Sequence, residues 1–249
     1  MTLAAAWLGA CIFLAWTIEA MSGFGSIVIA LSLGALLLPI ESMLPVLVTL
    51  NVITSSWLAW QHRRHIDRAL LLKRILPWML TGTLAGVLLR DVLPAFALKT
   101  GFSLLLLWFA GKELLAIYRG RKLRPHSPVM TQALLSGAGI THGLFASGGP
   151  LLVYALAGGG VDKARFRATL ISVWLLLNGV LLGFFLVQGK ITAHVGEIAM
   201  YLPVVLASVL LGNRLHHGLK EEKFRHMVFC LLAVVGAALL LSQLRAYLA

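Results

Sequence analysis

The chain is poor in charge. Only 12% of its 249 residues are Asp, Glu, Lys or Arg, about half of the roughly 25% usual in a soluble domain. A well-solvated globular domain is excluded. Two cysteines, Cys11 and Cys230, both sit in apolar stretches, which excludes a disulfide framework and a thiolate metal centre. His62 with His65 and His216 with His217 lack acidic or thiol partners at ligand spacing, so no metal is expected. There is no Walker motif, Gly-x-Ser-x-Gly or His-Glu-x-x-His. No nucleophile–base–orienter set stands in their place, so neither an enzyme nor a cofactor is expected. The first 62 residues contain no Lys or Arg. Without a basic leader, the first apolar segment reads as a retained part of the protein rather than a signal peptide.

What the chain has is apolar length. Hydrophobic residues make up 59% of it, and stretches of about 18 or more recur from end to end, the mark of membrane helices. The fold class expected is an all-α polytopic membrane protein. Most of the basic residues behind the net charge of +12 fall between the apolar segments. Sixteen of the 21 basic residues fall in four clusters, within 61–74, 119–124, 163–167 and 214–225. The positive-inside rule places all four in the cytoplasm, making this an integral protein of the cytoplasmic (inner) membrane. Membrane lipid, not nucleic acid, is the partner those clusters meet.

Six segments read as full crossings: 43–60, 75–92, 97–118, 168–188, 196–213 and 226–244. Two further apolar runs are interrupted. Ser22-Gly23-Phe24-Gly25 breaks the run 3–38, and Ser147-Gly148-Gly149-Pro150 breaks 129–160. The charge map requires each broken run to return to its starting side, the first to the outside and the second to the cytoplasm. Each is therefore expected to be a helical hairpin that is re-entrant or barely spans. Two halves of opposite orientation result, 1–125 and 126–249, each a broken hairpin followed by three crossings. Pro77 with Pro203, Gly86 with Gly212 and Arg90 with Arg214 mark the correspondence. Inverted repeats are the architecture of many alternating-access transporters. A matched pair of Gly-interrupted segments is the best sequence pointer to their binding site.

The tips carry further information. The stretch Gly143-Leu144-Phe145-Ala146-Ser147-Gly148-Gly149-Pro150-Leu151-Leu152-Val153, the loop Gln61-His62-Arg63-Arg64-His65-Ile66-Asp67, the tip Ser22-Gly23-Phe24-Gly25 and Arg167-Ala168-Thr169 together resemble the sulfite exporter TauE/SafE family over nearly the whole chain. The first tip departs from the longer glycine run common in that family. The resemblance implies a secondary transporter of small anions, including sulfite and organosulfonates.

The residues point the same way. Helix starts near Gly25 and Pro150 would turn unpaired N–H groups and a partial positive charge toward one point. Ser22, Gly23, Phe24, Gly25, Ser147, Gly148, Gly149 and Pro150 are the candidate anion-binding residues, joined by Asn51 and Asn178 from the first crossing of each half. The competing reading of the glycines is close helix packing. Glu19, one turn before the first tip, is a candidate proton-coupling group or a helix-to-helix hydrogen bonder. His142, Thr49, Tyr154 and Arg167 complete the site-lining candidates. Trp174 reads as packing or an interface anchor, and Lys112 as a snorkelling cation or a partner of Glu113 or another helix. An anion channel and a transporter of small carboxylates are the alternatives. A homodimer is compatible with a moving hairpin that needs a fixed frame.

Overall fold

The computed structural model describes residues 3–119, 125–156, 162–215 and 221–248. Parts of the basic clusters 119–124 and 214–225 lie outside them. The described residues form helices and no strands. The order is α1 (Leu3–Ser22), α2 (Ser26–Gly34), α3 (Ile40–Gln61), a 3-10 turn (Arg63–His65), a π-helical turn (Leu70–Ile75) running into α4 (Leu76–Val92), α5 (Ala95–Tyr118), α6 (Pro128–Phe145), α7 (Gly149–Ala155), α8 (Lys163–Val187), α9 (Lys190–Ala193), α10 (Val195–Leu215) and α11 (Glu221–Leu248). In hydrocarbon every backbone polar group must be satisfied within its own segment, and helices do this.

Among the described residues, six helices are long and apolar enough to cross a membrane: Leu3–Met21, Ile40–Gln61, Leu70–Val92, Ala95–Ala116, Ala164–Val187 and Val195–Arg214. Five match expected crossings. The sixth, α1, was expected as a hairpin arm, yet its 20 residues rise about 30 Å. The remaining expected crossing, 226–244, falls on α11, with its apolar stretch at Phe229–Arg245. The hairpins are lopsided: arms of 20 and 9 residues in the first, 18 and 7 in the second. Of the long arms, α1 is among the six helices apolar and long enough to cross a membrane and α6 is not; α2 and α7 are too short to cross one.

Helix direction follows from the contacts. Tyr201 donates from near the start of α10 to the Ala5 carbonyl near the start of α1. Thr17 reaches the Ser208 carbonyl further along both, so α1 and α10 run parallel. On α4 and α6, Gly82 faces Ser136 and Gly139, and Gly86 faces Ile140 and Gly143; these too are parallel. The pair α3 and α8 is antiparallel, with Asn51 against Asn178 and Asp67 against Thr169. So is α5 with α11, where Phe109 meets Phe229 and Leu106 meets Gly236. All four senses agree with the charge map.

Small residues permit the closest of these contacts. A Cβ on Gly82, Gly86, Gly139 or Gly143 would strike the facing backbone. The two glycine pairs, each four residues apart, let α4 and α6 approach backbone to backbone. Gly212 does the same for α10 against Thr17 and Ala20 of α1. Two stretches singled out in the sequence also meet. The Asp67 N–H donates to Thr169 Oγ1 at 3.0 Å, and Asp67 Oδ1 caps the next helix at Leu70 N, 2.9 Å away. The loop after α3 is thereby tied to the first turns of α8.

Candidate functional site

Both breaks are true helix interruptions. In the first, Gly23 and Gly25 take φ of 84° and 106°, left-handed values that suit glycine. In the second, Ala146 takes φ 50°, and its N–H donates to the His142 carbonyl at 2.7 Å. The tips meet inside the bundle. A Cβ on Gly149 would sit 3.5 Å from the Trp174 ring and 3.7 Å from Phe24. Between the tips and the middles of α3 and α8 lies a small cavity of about 20 Å³. Glu19, Gly25, Ser26, Asn51, Ser147, Gly149, Pro150, Trp174 and Asn178 are among its lining. That is room for little more than one water.

One hydrogen-bond network joins these walls. Asn51 Nδ2 lies 3.1 and 3.2 Å from the two carboxylate oxygens of Glu19 and 3.0 Å from Ser26 Oγ. Its two N–H groups thus face three acceptors. Asn51 Oδ1 accepts from Ser55 Oγ at 3.1 Å and from Asn178 Nδ2 at 2.7 Å, which fills both lone pairs and fixes the amide. Asn178 Oδ1 is buried and makes no hydrogen bond of good geometry among the described residues, and the Asn178 side chain lies beside the His142 ring. The first turns of α2 and α7 line the cavity, and first-turn N–H groups have no acceptor within their own helix.

The expected residues divide. Glu19, Gly25, Asn51, Ser147, Gly149, Pro150 and Asn178 line the cavity. Ser147 turns its hydroxyl to the Phe145 carbonyl, 3.0 Å away, and not to the cavity. Gly148 is a packing glycine: a Cβ there would meet the Ala138 carbonyl and His142. Gly23 is packed against the Arg167 side chain, and Phe24 covers Gly149. Ser22 ends α1, and its side chain lies outside the described residues. Thr49 bonds back to the Pro45 carbonyl at 2.7 Å. His142 is fully buried, stacked on Trp174 with ring centroids 5.9 Å apart. Its ring lies beside the Leu177 backbone and the Asn178 side chain, with no hydrogen bond of good geometry to either.

Two candidates are clamps. Arg167 Nη2 donates to the Ala20 carbonyl in the last turn of α1 and faces Asn213 Oδ1 of α10 at 3.5 Å. It ties the first tip to α8 and α10. His62, in the basic loop, is held below its ordinary imidazole pKa by burial first and by the charges of Arg167 and His65 next. Tyr154 faces away, its ring under Lys112 Nζ at 3.1 Å and beside His126 at 4.6 Å. Lys112, which also lies over Trp108, so fastens α7 to α5.

Sequence reading missed Ser26, Ser55 and Trp174. Trp174 donates Nε1–H to the Gly23 carbonyl at 3.2 Å and touches Gly149, bridging the tips. Trp174 and Ser55 were both within reach of one rule: each is four residues from a candidate asparagine, hence on the same helix face.

A bundle of apolar helices long enough to cross a membrane defines an integral membrane protein, and two interrupted helices meet inside it at a small cavity. The chain matches the family described as sulfite exporter TauE/SafE over residues 8–239 and belongs to it. It is thus a membrane transporter of that family. It is also 27% identical over 234 residues, 90% of this chain and 88% of the relative, to a protein of Cupriavidus necator described as a probable sulfite/organosulfonate exporter TauE. No solved structure matches.

Proposed function

We propose that the chain exports a small oxyanion, sulfite or an organosulfonate, by alternating access, with the anion held between the two tips. The observation that carries this is their convergence on one buried cavity whose polar walls are Glu19, Ser26, Asn51 and Asn178. The substrate class comes from the family and from the relative in Cupriavidus necator.

An inverted repeat is supported by how the helices pair. Exchanging the halves turns α1 against α10 into α6 against α4 and leaves α3 against α8 and α5 against α11 unchanged. Aligning the helix starts Ser26 and Gly149 sets Glu19 equivalent to His142. The cavity is too small for a tetrahedral sulfur with its oxygens. Binding therefore requires the tips to part, as a rocking repeat would make them do, and this favours a transporter over an open channel.

Glu19 gives the site a proton requirement. An anion accepting from Asn51 would sit about 4 Å from the carboxylate, where two negative charges repel by about 4 kcal/mol at an effective dielectric constant near 20. A proton on Glu19 removes that term, so proton and anion enter together.

The test is uptake of sulfite, ethanesulfonate and acetate into proteoliposomes, beside Gly149→Leu. Saturable exchange of the sulfur oxyanions that is lost in the variant, with the variant still folded, is expected. Equal exchange in both proteins would remove the tips as the site. Preference for acetate would move the substrate class to carboxylates.

A further inference from the structure

Two arginines lie at opposite ends of the bundle, and one of them is not explained by packing. Arg167 holds the first tip. Arg90, in the last turn of α4, is 6% exposed, and its guanidinium lies 4.9 Å over the ring of Phe185 on α8. Lys190 Nζ stands 6.0 Å from the same ring, so two cations share it. Arg90 has a carboxylate beside it in Asp91, 3.9 Å from Nε and 47% exposed. Asp91 also faces the Gln188 amide at 3.4 Å. A cation suits the C-terminal end of a helix, which accounts for an arginine there. It does not account for Arg90 Nη2, buried with no hydrogen-bond partner among the described residues. A buried N–H on a charged group is costly to leave unbonded.

The helices connect this group to the cavity. α4 and α8 run parallel: Asp67, just before α4, touches Thr169 near the start of α8, and Arg90 meets Phe185 near both ends. Asn178 and Phe185 lie two turns apart on one face of α8, about 10 Å along its axis. Thr83 and Arg90 have the same spacing on α4. Asn178 Oδ1, Thr83 Oγ1 and Arg90 Nη2 are all buried and, among the described residues, make no hydrogen bond of good geometry. Polar atoms with unused hydrogen-bonding capacity thus recur from the cavity to the ends of α4 and α8 that the basic loops place outside.

We propose that Arg90 is a second anion-binding residue, an outer station to which an oxyanion passes on leaving the cavity, with Lys190 adding to the positive field. This rests on the transporter reading and on the orientation set by the basic loops. The test is ethanesulfonate exchange by the full chain in oriented proteoliposomes, with the anion varied on one face at a time. Arg90→Gln is expected to raise the outer-face KM about tenfold or more, the loss of a hydrogen bond to a charged group, while the inner-face KM stays within about twofold. Arg90→Lys, which keeps the charge, is expected to recover most of the difference. Lys190→Gln, on a surface turn, is expected to shift the outer KM in the same sense by about twofold. It carries the test should Arg90→Gln not fold. Equal shifts at both faces, or none, overturn the outer station and leave the central site standing. A wild-type protein that exchanges no anion overturns the transporter reading, and the outer station with it.

Discussion

Replacing Glu19 with Gln tests the chemistry of the cavity most directly. Asn51 Nδ2 is within 3.2 Å of both Glu19 oxygens, so an oxyanion taking an Asn51 N–H lies about 4 Å from any charge on Glu19, a repulsion of about 4 kcal/mol. That corresponds to roughly a thousandfold in affinity. The ligand should be ethanesulfonate, whose sulfonate stays ionised, measured by calorimetry between about pH 5 and pH 9. The sign is fixed by the charges. In the wild type, binding weakens as pH rises through Glu19 ionisation, by up to about tenfold per pH unit, because the bound form retains a proton that the free form has lost. In Glu19→Gln it is flat and as strong as the acid-side wild type. Heats in buffers of different ionisation enthalpy should show one proton taken up per anion at high pH by the wild type and none by the variant. Parallel pH profiles in the two proteins would refute the argument.

Three further outcomes follow from the packing. Gly149→Ala places its methyl at ordinary contact distance from Trp174 and should retain transport; Gly149→Leu should wedge the tips apart, at about 1–3 kcal/mol of stability, and abolish binding by calorimetry. Trp174→Phe keeps an aromatic side chain but loses the indole N–H bond to the Gly23 carbonyl and some buried volume; it should cost at least about 1 kcal/mol and lower the exchange rate more than it raises KM. Gly86→Val drives a side chain into the backbone of α6 and should destabilise the purified protein by at least about 1–3 kcal/mol, read as a lower thermal transition.

The bundle was legible because hydrocarbon imposes a simple code: apolar length marks a crossing and loop charge marks its sense. The breaks were legible for the same reason, since Gly23, Gly25 and Gly149 are conspicuous in runs of Leu and Ile. What escaped is what depends on which face a residue turns. Gly148 and Gly149 are neighbours of the same kind, yet one packs on Ala138 and the other lines the cavity. Arg167 reads in the sequence as a member of a basic cluster and a site-lining candidate. Its role as a clamp on Ala20 spans 147 positions of sequence, a distance no local pattern reports. The unequal arms were hidden because both runs stay apolar past the ends of α2 and α7, so hydropathy cannot see where a helix stops.

The site also constrains what can drive the flux. Binding linkage is reciprocal: if the anion favours a proton on Glu19, the proton favours the anion equally. Two ligands so coupled cross together. A monoanion crossing alone moves one charge, worth about 2.3 kcal/mol per 100 mV, and an inside-negative potential pushes it outward. A monoanion crossing with a proton moves none, so the potential neither helps nor hinders, and only the gradients of anion and proton remain. An exporter built this way gives up its electrical drive and works on accumulation of the anion inside. If instead Glu19 keeps its proton throughout the cycle, it is a neutral hydrogen-bonding wall and the electrical drive returns. The protonation of one carboxyl group, held by Asn51 between the two tips, thus separates a gradient-limited exporter from a voltage-driven one.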